Sequence, residues 1–128
     1  MSLRAALGEV LGRGSAKEGV HHWWLQRVTS VALVPLSIGF VVSLLALPAL
    51  DYATLIAWMR QGGTALGLVL FVLVAARHSH LGVRVVIEDY VHAPGAKTLA
   101  LVLSDFAHFL FAAAAVFAVL KVALGGRL

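Results

Sequence analysis

The stretch VTSVALVPLSIGFVVSLLALPAL, from Val28 to Leu50, runs for 23 positions without a charged side chain. A helix that crosses the hydrocarbon core of a bilayer needs about 20 apolar residues, so this stretch is long enough to span. Pro35 and Gly39 are the points at which we expect the helix to bend. Of the 128 residues, 61% are hydrophobic and 12% are charged, and the mean hydropathy is +0.95. These values predict an integral membrane protein and exclude a soluble domain of ordinary composition.

Two further apolar stretches extend the prediction to three helices. One covers residues 98–120 and is interrupted only by Asp105 and His108. The other has only 16 uncharged residues between Arg60 and Arg77, which is fewer than the ~17–25 of most spanning helices. To cross the bilayer, that helix must carry polar residues beyond Arg77 into the membrane. The pattern therefore predicts an all-α membrane protein.

We predict one membrane-anchor domain that covers the whole chain, residues 1–128. An N-terminal surface segment is expected at residues 1–20, because its leucine and valine residues recur at helical spacing. The transmembrane helices are predicted at residues 28–50, 64–86 and 98–120.

Lysine and arginine residues are distributed unequally between the two ends of these helices. Three lie on one side, whereas seven lie before the first helix or between the second and third, namely Arg4, Arg13, Lys17, Arg27, Arg77, Arg84 and Lys97. The positive-inside rule therefore places the N-terminus on the cytoplasmic or matrix side. The formal net charge of +4 belongs to this asymmetry, and it indicates anionic lipid and not nucleic acid as a partner.

The sequence contains no cysteine, so it offers no disulfide and no thiolate ligand for an iron–sulfur cluster. It also has no phosphate-binding glycine loop, no H-E-x-x-H zinc motif and no plausible Ser/His/Asp constellation. Hydrolytic and nucleotide chemistry within this chain therefore have no support. A redox centre in this chain would have to use histidine.

Ionisable residues are concentrated in the stretch ARHSHLGVRVVIEDY, from Ala76 to Tyr90. At about 100° of turn per residue, His78, Gly82 and Asp89 share one face of a helix, whereas His80 lies about 200° away from His78. A glycine one turn from His78 lets a large flat group approach the backbone, as an axial haem ligand requires. The alternative is that His78 only forms a hydrogen bond to a neighbouring helix. Ionisable groups at membrane depth favour the functional interpretation, because burying them is costly.

These residues form the pattern H-x3-G-x6-D-Y, from His78 to Tyr90, and the sequence GVHHWWLQRVTS at residues 19–30 leads into the first span. In this order, and with three spans, the chain resembles the hydrophobic membrane-anchor family of succinate dehydrogenase, respiratory complex II, of the alphaproteobacterial or mitochondrial type. The resemblance extends from about Gly19 to the end of the third span. It implies the membrane-anchor subunit of a succinate:quinone oxidoreductase, which serves the tricarboxylic acid cycle and respiratory electron transport.

The resemblance also implies a role for particular residues. His78 would be one axial ligand of the iron of a haem b. Tyr90 would form a hydrogen bond to a quinone carbonyl oxygen, and Asp89 would orient neighbouring groups or assist proton delivery. The vicinity of the haem propionates and the quinone would include Arg27, His21 and His22.

Partners and cofactors follow from the same resemblance. The second axial histidine would come from a companion anchor subunit, itself a cytochrome b, so that the haem is shared. Electrons from succinate would pass through a flavoprotein subunit and an iron–sulfur subunit to ubiquinone. FAD, the succinate site and the iron–sulfur clusters would belong to those subunits only. The expected location is the bacterial cytoplasmic (inner) membrane, with the mitochondrial inner membrane as the alternative.

Asp105 and His108 lie outside the family pattern and share a face of the third span. We interpret them as a mutually hydrogen-bonded pair that packs against a neighbouring helix. Alternatively, His108 ligates the haem in place of the companion subunit's histidine. A shift in helix register would also let His80 compete with His78. Two other functions stay open: a haem-free structural anchor, and a small cytochrome b that serves another quinone-linked dehydrogenase with both ligands in this chain.

Overall fold

The structure, a computed structural model, describes residues 15–126 and contains four α-helices and no strand over that range. The helices are α1 (Ser15–Leu45), α2 (Tyr52–Met59), α3 (Gly62–Tyr90) and α4 (Pro94–Ala123). Residues Gly19–Leu45 of α1 and the whole of α3 and α4 are long and apolar enough to cross a membrane. The prediction of an all-α protein with three membrane-spanning helices is confirmed, and the chain is a multi-pass membrane protein.

The bounds of α1 differ from the predicted span at both ends. The helix begins at Ser15, so residues 15–20 of the predicted surface segment form its first turns, and the rest of that segment lies outside the described residues. The helix ends at Leu45, five residues before the predicted Leu50. Pro48 explains the early end, because proline has no N–H and disfavours a helical conformation in the residue before it. Pro35, in contrast, is accommodated inside the helix.

The short helix α2 has a well-defined start. Asp51 is its N-cap, and the carboxylate accepts a hydrogen bond from the backbone N–H of Thr54 at 2.8 Å. Hydrogen bonds from the Thr54 backbone and side chain hold the pKa of Asp51 below its ordinary value of 3.8. The capping contribution to stability is therefore present above that value and is lost only as the pH falls through the lowered pKa.

Three aromatic rings join α1, α2 and α3 near the start of α3. Phe40 of α1 lies 6.1 Å from the buried Trp58 of α2 and stacks at 5.4 Å on Phe71 of α3. A cleft of about 300 Å³ opens beside these rings, and its wall includes Gly39, Gly63 and Gly67. A Cβ atom at any of these three glycines would meet no other atom within 4 Å, so the cleft stays open beside them. This cluster anchors α2 to the end of the bundle.

Helix α3 lies between α1 and α4 and packs against both. Its buried residues include Leu81, which is only 1% exposed, and the small residues Ala65 and Ala76. Small side chains let helix backbones approach closely in a membrane, where packing and hydrogen bonds drive association. Most large apolar residues on the outer faces are exposed, as expected for surfaces that meet lipid or other chains.

A chain of hydrogen bonds joins α3 to α4 within the membrane. The Arg77 guanidinium lies 3.1 Å from His80 Nδ1, and His80 Nε2 lies 2.5 Å from an Asp105 carboxylate oxygen. Arginine can only donate, so Nδ1 is the acceptor and Nε2–H donates to Asp105. His80 is therefore held in one tautomer between a cation and an anion.

His108 belongs to the same contact between the helices. Its Nε2 lies 3.2 Å from Ser79 Oγ on α3, its Nδ1 lies 2.8 Å from the carbonyl oxygen of Ser104, and its ring packs edge-on against His80 at 5.3 Å. The expectation of a mutual hydrogen bond between Asp105 and His108 is wrong. Each of the two bonds across to α3, because residues that share a face on α4 both point at the neighbouring helix.

We predict that the pair of His80 and Asp105 stabilises the contact between α3 and α4. Interhelical hydrogen bonds in membranes contribute about 0.6–1.7 kcal/mol, and the loss of one partner leaves the other unpaired at membrane depth. Asp105→Ala and His80→Ala should each lower the thermal unfolding midpoint of the purified complex by roughly 2–4 °C. The double variant should be no less stable than the worse single variant.

The matched control is the pair of Arg84 and Glu88, whose side chains lie 3.0 Å apart on the same helix, α3, and so do not join two helices. Exposed ion pairs contribute little, so Glu88→Ala should leave the unfolding midpoint almost unchanged. Strictly additive effects of His80→Ala and Asp105→Ala would show that the two side chains do not act as a pair.

Candidate functional site

The His78 side chain projects from α3 into the interface with α1. Its Nδ1 lies 3.0 Å from the hydroxyl oxygen of Thr29, and its Nε2 lies 3.4 Å from the amide nitrogen of Gln26. Thr29 is 9% exposed, and it is the one polar residue that is buried among the residues the structure describes. His78 is therefore held between two polar side chains of α1 that are one helical turn apart.

Gly82 lies one turn from His78 on the same face of α3, as the helical spacing predicts. A Cβ atom at this position would meet the Gln26 amide nitrogen at 3.7 Å, which is ordinary van der Waals contact. The group beside Gly82 in this structure is thus the end of the Gln26 side chain. That the glycine admits a large flat group stays a prediction.

Two buried polar atoms near this interface have no hydrogen-bond partner among the described residues. They are Nε2 of His22 and Oε1 of Gln26, which lie one turn apart on α1. A buried polar atom without a partner is costly, and most such atoms in folded proteins are paired. These two atoms are therefore available to a group that lies outside the described residues.

Arg27 and His21 lie on exposed parts of α1, away from His78. The Arg27 guanidinium sits 5.3 Å above the ring of Trp23, which in turn stacks on Trp24 with 6.1 Å between centroids. This cation–π contact holds Arg27 on the outside of the helix. Of the predicted residues around the haem propionates, the structure thus places His22 in the partly buried layer and leaves Arg27 and His21 at the surface.

Asp89 and Tyr90 form the last two residues of α3 and are exposed. Tyr90 is 78% exposed, and its carbonyl oxygen accepts a hydrogen bond from His92 Nδ1 at 3.1 Å. Among the described residues, the Asp89 carboxylate takes part in no hydrogen bond or ion pair. Both side chains are thus open to a ligand or a partner chain.

The neighbouring acidic residue behaves differently. Glu88 pairs with Arg84 at 3.0 Å, as expected for opposite charges four residues apart on a helix. Its carbonyl oxygen also accepts a hydrogen bond from Lys97 Nζ at 2.8 Å, which ties the end of α3 to the start of α4. Within residues 15–126, charge pairing at this end of the bundle therefore involves Glu88 and not Asp89.

The other two histidines of the membrane region face the contact between α3 and α4. His80 is bonded to Arg77 and Asp105, and His108 to Ser79 and Ser104. The predicted opposition of His78 and His80 on α3 is therefore seen in their contacts. Within residues 15–126, no group of three or more histidine or acidic side chains is arranged to hold a metal ion.

Reasoning from the sequence missed the parts that Gln26 and Thr29 play beside His78. A signal for them exists, because His22, Gln26 and Thr29 follow one another at intervals of four and three residues and so share one face of a helix. Two of these residues are polar without being charged, and only the packing of α1 against α3 reveals that this face meets His78.

Comparison with known proteins identifies the family. Residues 1–122 match the family described as succinate dehydrogenase/fumarate reductase transmembrane subunit. The chain is 34% identical over 114 residues to the succinate dehydrogenase hydrophobic membrane anchor subunit of Paracoccus denitrificans. The aligned residues cover 89% of this chain and 88% of that protein. It is 35% identical over 89 residues to the protein of the same name from Rickettsia conorii, covering 69% of this chain and 71% of that protein. No solved structure matches the chain.

These matches confirm the resemblance that the H-x3-G-x6-D-Y pattern and the three spans indicated, and they cover α1, α2, α3 and nearly all of α4. The chain belongs to the family of succinate dehydrogenase and fumarate reductase transmembrane subunits.

Proposed function

We propose that this chain is the membrane anchor of a succinate:quinone oxidoreductase, in which His78 gives one axial ligand to a haem b and the end of α3 borders the site of quinone reduction. The observation that carries the proposal is the placement of His78. It is the histidine of α3 that faces α1, and its Nε2 has only a weak contact, at 3.4 Å, with a flexible side chain. His80, by comparison, is fully engaged between Arg77 and Asp105.

The donor set around His78 fits a haem. A neutral imidazole nitrogen is a good iron ligand, and the unpartnered Nε2 of His22 and Oε1 of Gln26 lie on the same face of α1 as Thr29. His78 and a histidine of a companion anchor protein would hold the iron. When bound, the haem supplies a one-electron redox centre. Arg27, with His21 or His22, would neutralise the propionates, since a guanidinium matches the geometry of a carboxylate.

Tyr90 and Asp89 are proposed to act on the quinone. Reduction of a quinone takes up two electrons and two protons, and negative charge develops on its oxygen atoms. The Tyr90 hydroxyl can donate a hydrogen bond to such an oxygen and stabilise that charge. The carboxylate of Asp89, which has no ion-pair partner among the described residues, can orient a neighbouring cationic group of a partner chain or pass a proton. The exposure of both side chains supports this role.

The partners follow from this arrangement. A flavoprotein subunit and an iron–sulfur subunit would hold the FAD, the succinate site and the clusters, and a companion anchor protein would pack against this chain. The excess of lysine and arginine at the end of α3 and before α1 supports a cytoplasmic location for Tyr90. The enzyme would then lie in the bacterial cytoplasmic membrane, and its electrons would enter on the side where the quinone site lies.

A haem-free anchor is the second candidate. The hydrogen bonds of His78 with Thr29 and Gln26 favour it, because they account for the histidine as an interhelical contact alone. A small cytochrome b of another dehydrogenase would need both ligands within the chain. The contacts of His80 and His108 with residues of α3 and α4 do not favour that function.

We predict that His78→Ala removes the b-type haem absorbance. The complex is purified in mild detergent through a tag on this chain, and reduced-minus-oxidised spectra are recorded with succinate and then with dithionite. The parent should show sharp b-type bands with succinate, and the variant should show none with either reductant. His92→Ala, in the connection after α3, is the control and should keep the bands.

Other outcomes identify other functions. Bands that persist in His78→Ala would show that the iron ligand is another histidine, His80 or His108. A parent without bands even in dithionite would be a haem-free anchor. Bands that only dithionite produces would indicate a cytochrome that does not receive electrons from succinate.

We predict that Tyr90→Phe lowers succinate:quinone reductase activity by about tenfold or more, because the hydrogen-bond donor to the quinone is lost. Oxidation of succinate by a water-soluble artificial acceptor, which does not need the quinone site, should be unchanged. Tyr52→Phe is the matched control, since Tyr52 is similarly exposed at 81% but belongs to α2. Equal quinone reductase activity of the parent and the Tyr90→Phe variant would show that the Tyr90 hydroxyl takes no part in quinone reduction.

The cysteine-free sequence allows a direct test of sidedness. We predict that Ala49→Cys, between α1 and α2, reacts in intact cells with a maleimide that cannot cross the membrane. Ala93→Cys, between α3 and α4, should react only in inverted vesicles. The reverse pattern would place Tyr90 on the outer face and contradict the proposed route of electrons.

A further inference from the structure

We propose that Thr29 is a positioning residue for His78: its hydroxyl oxygen accepts the Nδ1–H of the imidazole and so leaves the lone pair on Nε2 for iron. The inference rests on the proposed function, in which His78 is an axial ligand. It adds the residue that selects the tautomer and sets the electron-donating strength of that ligand.

The hydrogen bonds of Thr29 establish the direction of donation. Its Oγ1 lies 2.8 Å from the carbonyl oxygen of Leu25 and 3.1 Å from that of Gln26. Carbonyl oxygens only accept, so the single hydroxyl hydrogen points at the α1 backbone. The contact of 3.0 Å between Oγ1 and His78 Nδ1 must then use an N–H of the ring and a lone pair of the oxygen.

The other ring nitrogen is consistent with this assignment. His78 Nε2 has a hydrogen-bond contact with the amide nitrogen of Gln26, at 3.4 Å, and an amide nitrogen can only donate. The two contacts therefore agree on one tautomer, with the hydrogen on Nδ1 and the lone pair on Nε2. Gln26 has a long side chain, so its amide can turn aside when Nε2 binds iron.

Burial makes the arrangement stable. Thr29 is 9% exposed, and a β-branched side chain in a helix has few accessible rotamers. Its hydroxyl is thus held in place by the α1 backbone and by its own stiffness. A hydrogen bond of this kind at the second nitrogen of a ligating histidine fixes the ring and raises its basicity.

A more basic imidazole stabilises the oxidised iron relative to the reduced iron. Loss of the Thr29 hydroxyl should therefore raise the reduction potential of the haem. At a given ambient potential the ratio of reduced to oxidised haem should rise roughly tenfold, which is ~59 mV for a one-electron couple. Thr29→Ser keeps the hydroxyl and should behave as the parent.

The experiment uses the complete complex purified through a tag on this chain. Redox titration of the b-type absorbance and the electron paramagnetic resonance spectrum of the oxidised haem are recorded for Thr29→Val, Thr29→Ala, Thr29→Ser and Ser30→Ala. Ser30 is the matched control, because its hydroxyl bonds to the Gln26 carbonyl oxygen at 2.8 Å on the same turn of α1 but does not contact His78. The bound haem per complex is measured for each variant.

A positive shift in potential and an altered spectrum in Thr29→Val or Thr29→Ala, with parent-like values in Thr29→Ser and Ser30→Ala, would support the inference. Parent-like values in the hydroxyl-free variants would overturn it, and so would an equal shift in Thr29→Ser. Failure of both hydroxyl-free variants to assemble would show a structural role only and would also overturn it. These results are separate from a failure of the proposed function, which would appear as haem retained in His78→Ala or absent from the parent.

Discussion

The hydrocarbon interior of a bilayer offers no hydrogen-bond partner, so each polar side chain at that depth must find its partner within the protein. Three consecutive residues of α3 meet this requirement on two different neighbours. His78 contacts Thr29 on α1, whereas Ser79 and His80 contact His108 and Asp105 on α4. The central position of α3 follows from this division, because no single neighbour could satisfy all three residues.

The two sides of α3 differ in how completely their polar groups are paired. Toward α4, a cation, an imidazole and an anion form a closed sequence of donors and acceptors from Arg77 through His80 to Asp105. Toward α1, the buried atoms Nε2 of His22 and Oε1 of Gln26 have no partner among the described residues. The paired side has the character of a structural contact. The unpaired side has the character of a binding surface, whose hydrogen-bond partners lie outside the described residues. This contrast distinguishes His78 from His80 and His108.

Much of the fold was predictable because it depends on quantities that a sequence displays directly. The length of the uncharged stretches predicted three spanning helices, and the helical repeat placed His78 and His80 on opposite sides of α3. The end of α1 at Leu45 was not predicted, because counting uncharged residues ignores the effect of Pro48 on the backbone. The eight-residue α2 was also missed, since a short apolar segment between two spans carries no distinct period.

The candidate site was predictable only in part. Spacing identifies residues that share a face, but it does not say what that face meets, so the partners of Asp105 and His108 were assigned to each other and not to α3. The same limit hid Gln26 and Thr29, whose importance depends on the packing of α1 against His78. The roles proposed for Asp89, Tyr90 and Arg27 depend on groups that other chains supply, and a single chain contains no information about those contacts.

His78 and Tyr90 belong to one uninterrupted helix and are 12 residues apart, or ~18 Å along its axis. The separation between the two halves of the candidate site is therefore set by the covalent chain itself. Insertion or deletion of one residue in this interval would shift Tyr90 by ~1.5 Å and rotate it by about 100° relative to His78. Changes in length are accommodated far more easily in the connections at residues 46–51 and 91–93, which lie outside the helices or at their caps. The length of the C-terminal half of α3 thus fixes the distance between His78 and Tyr90. This length is as much a part of the site as the two side chains themselves.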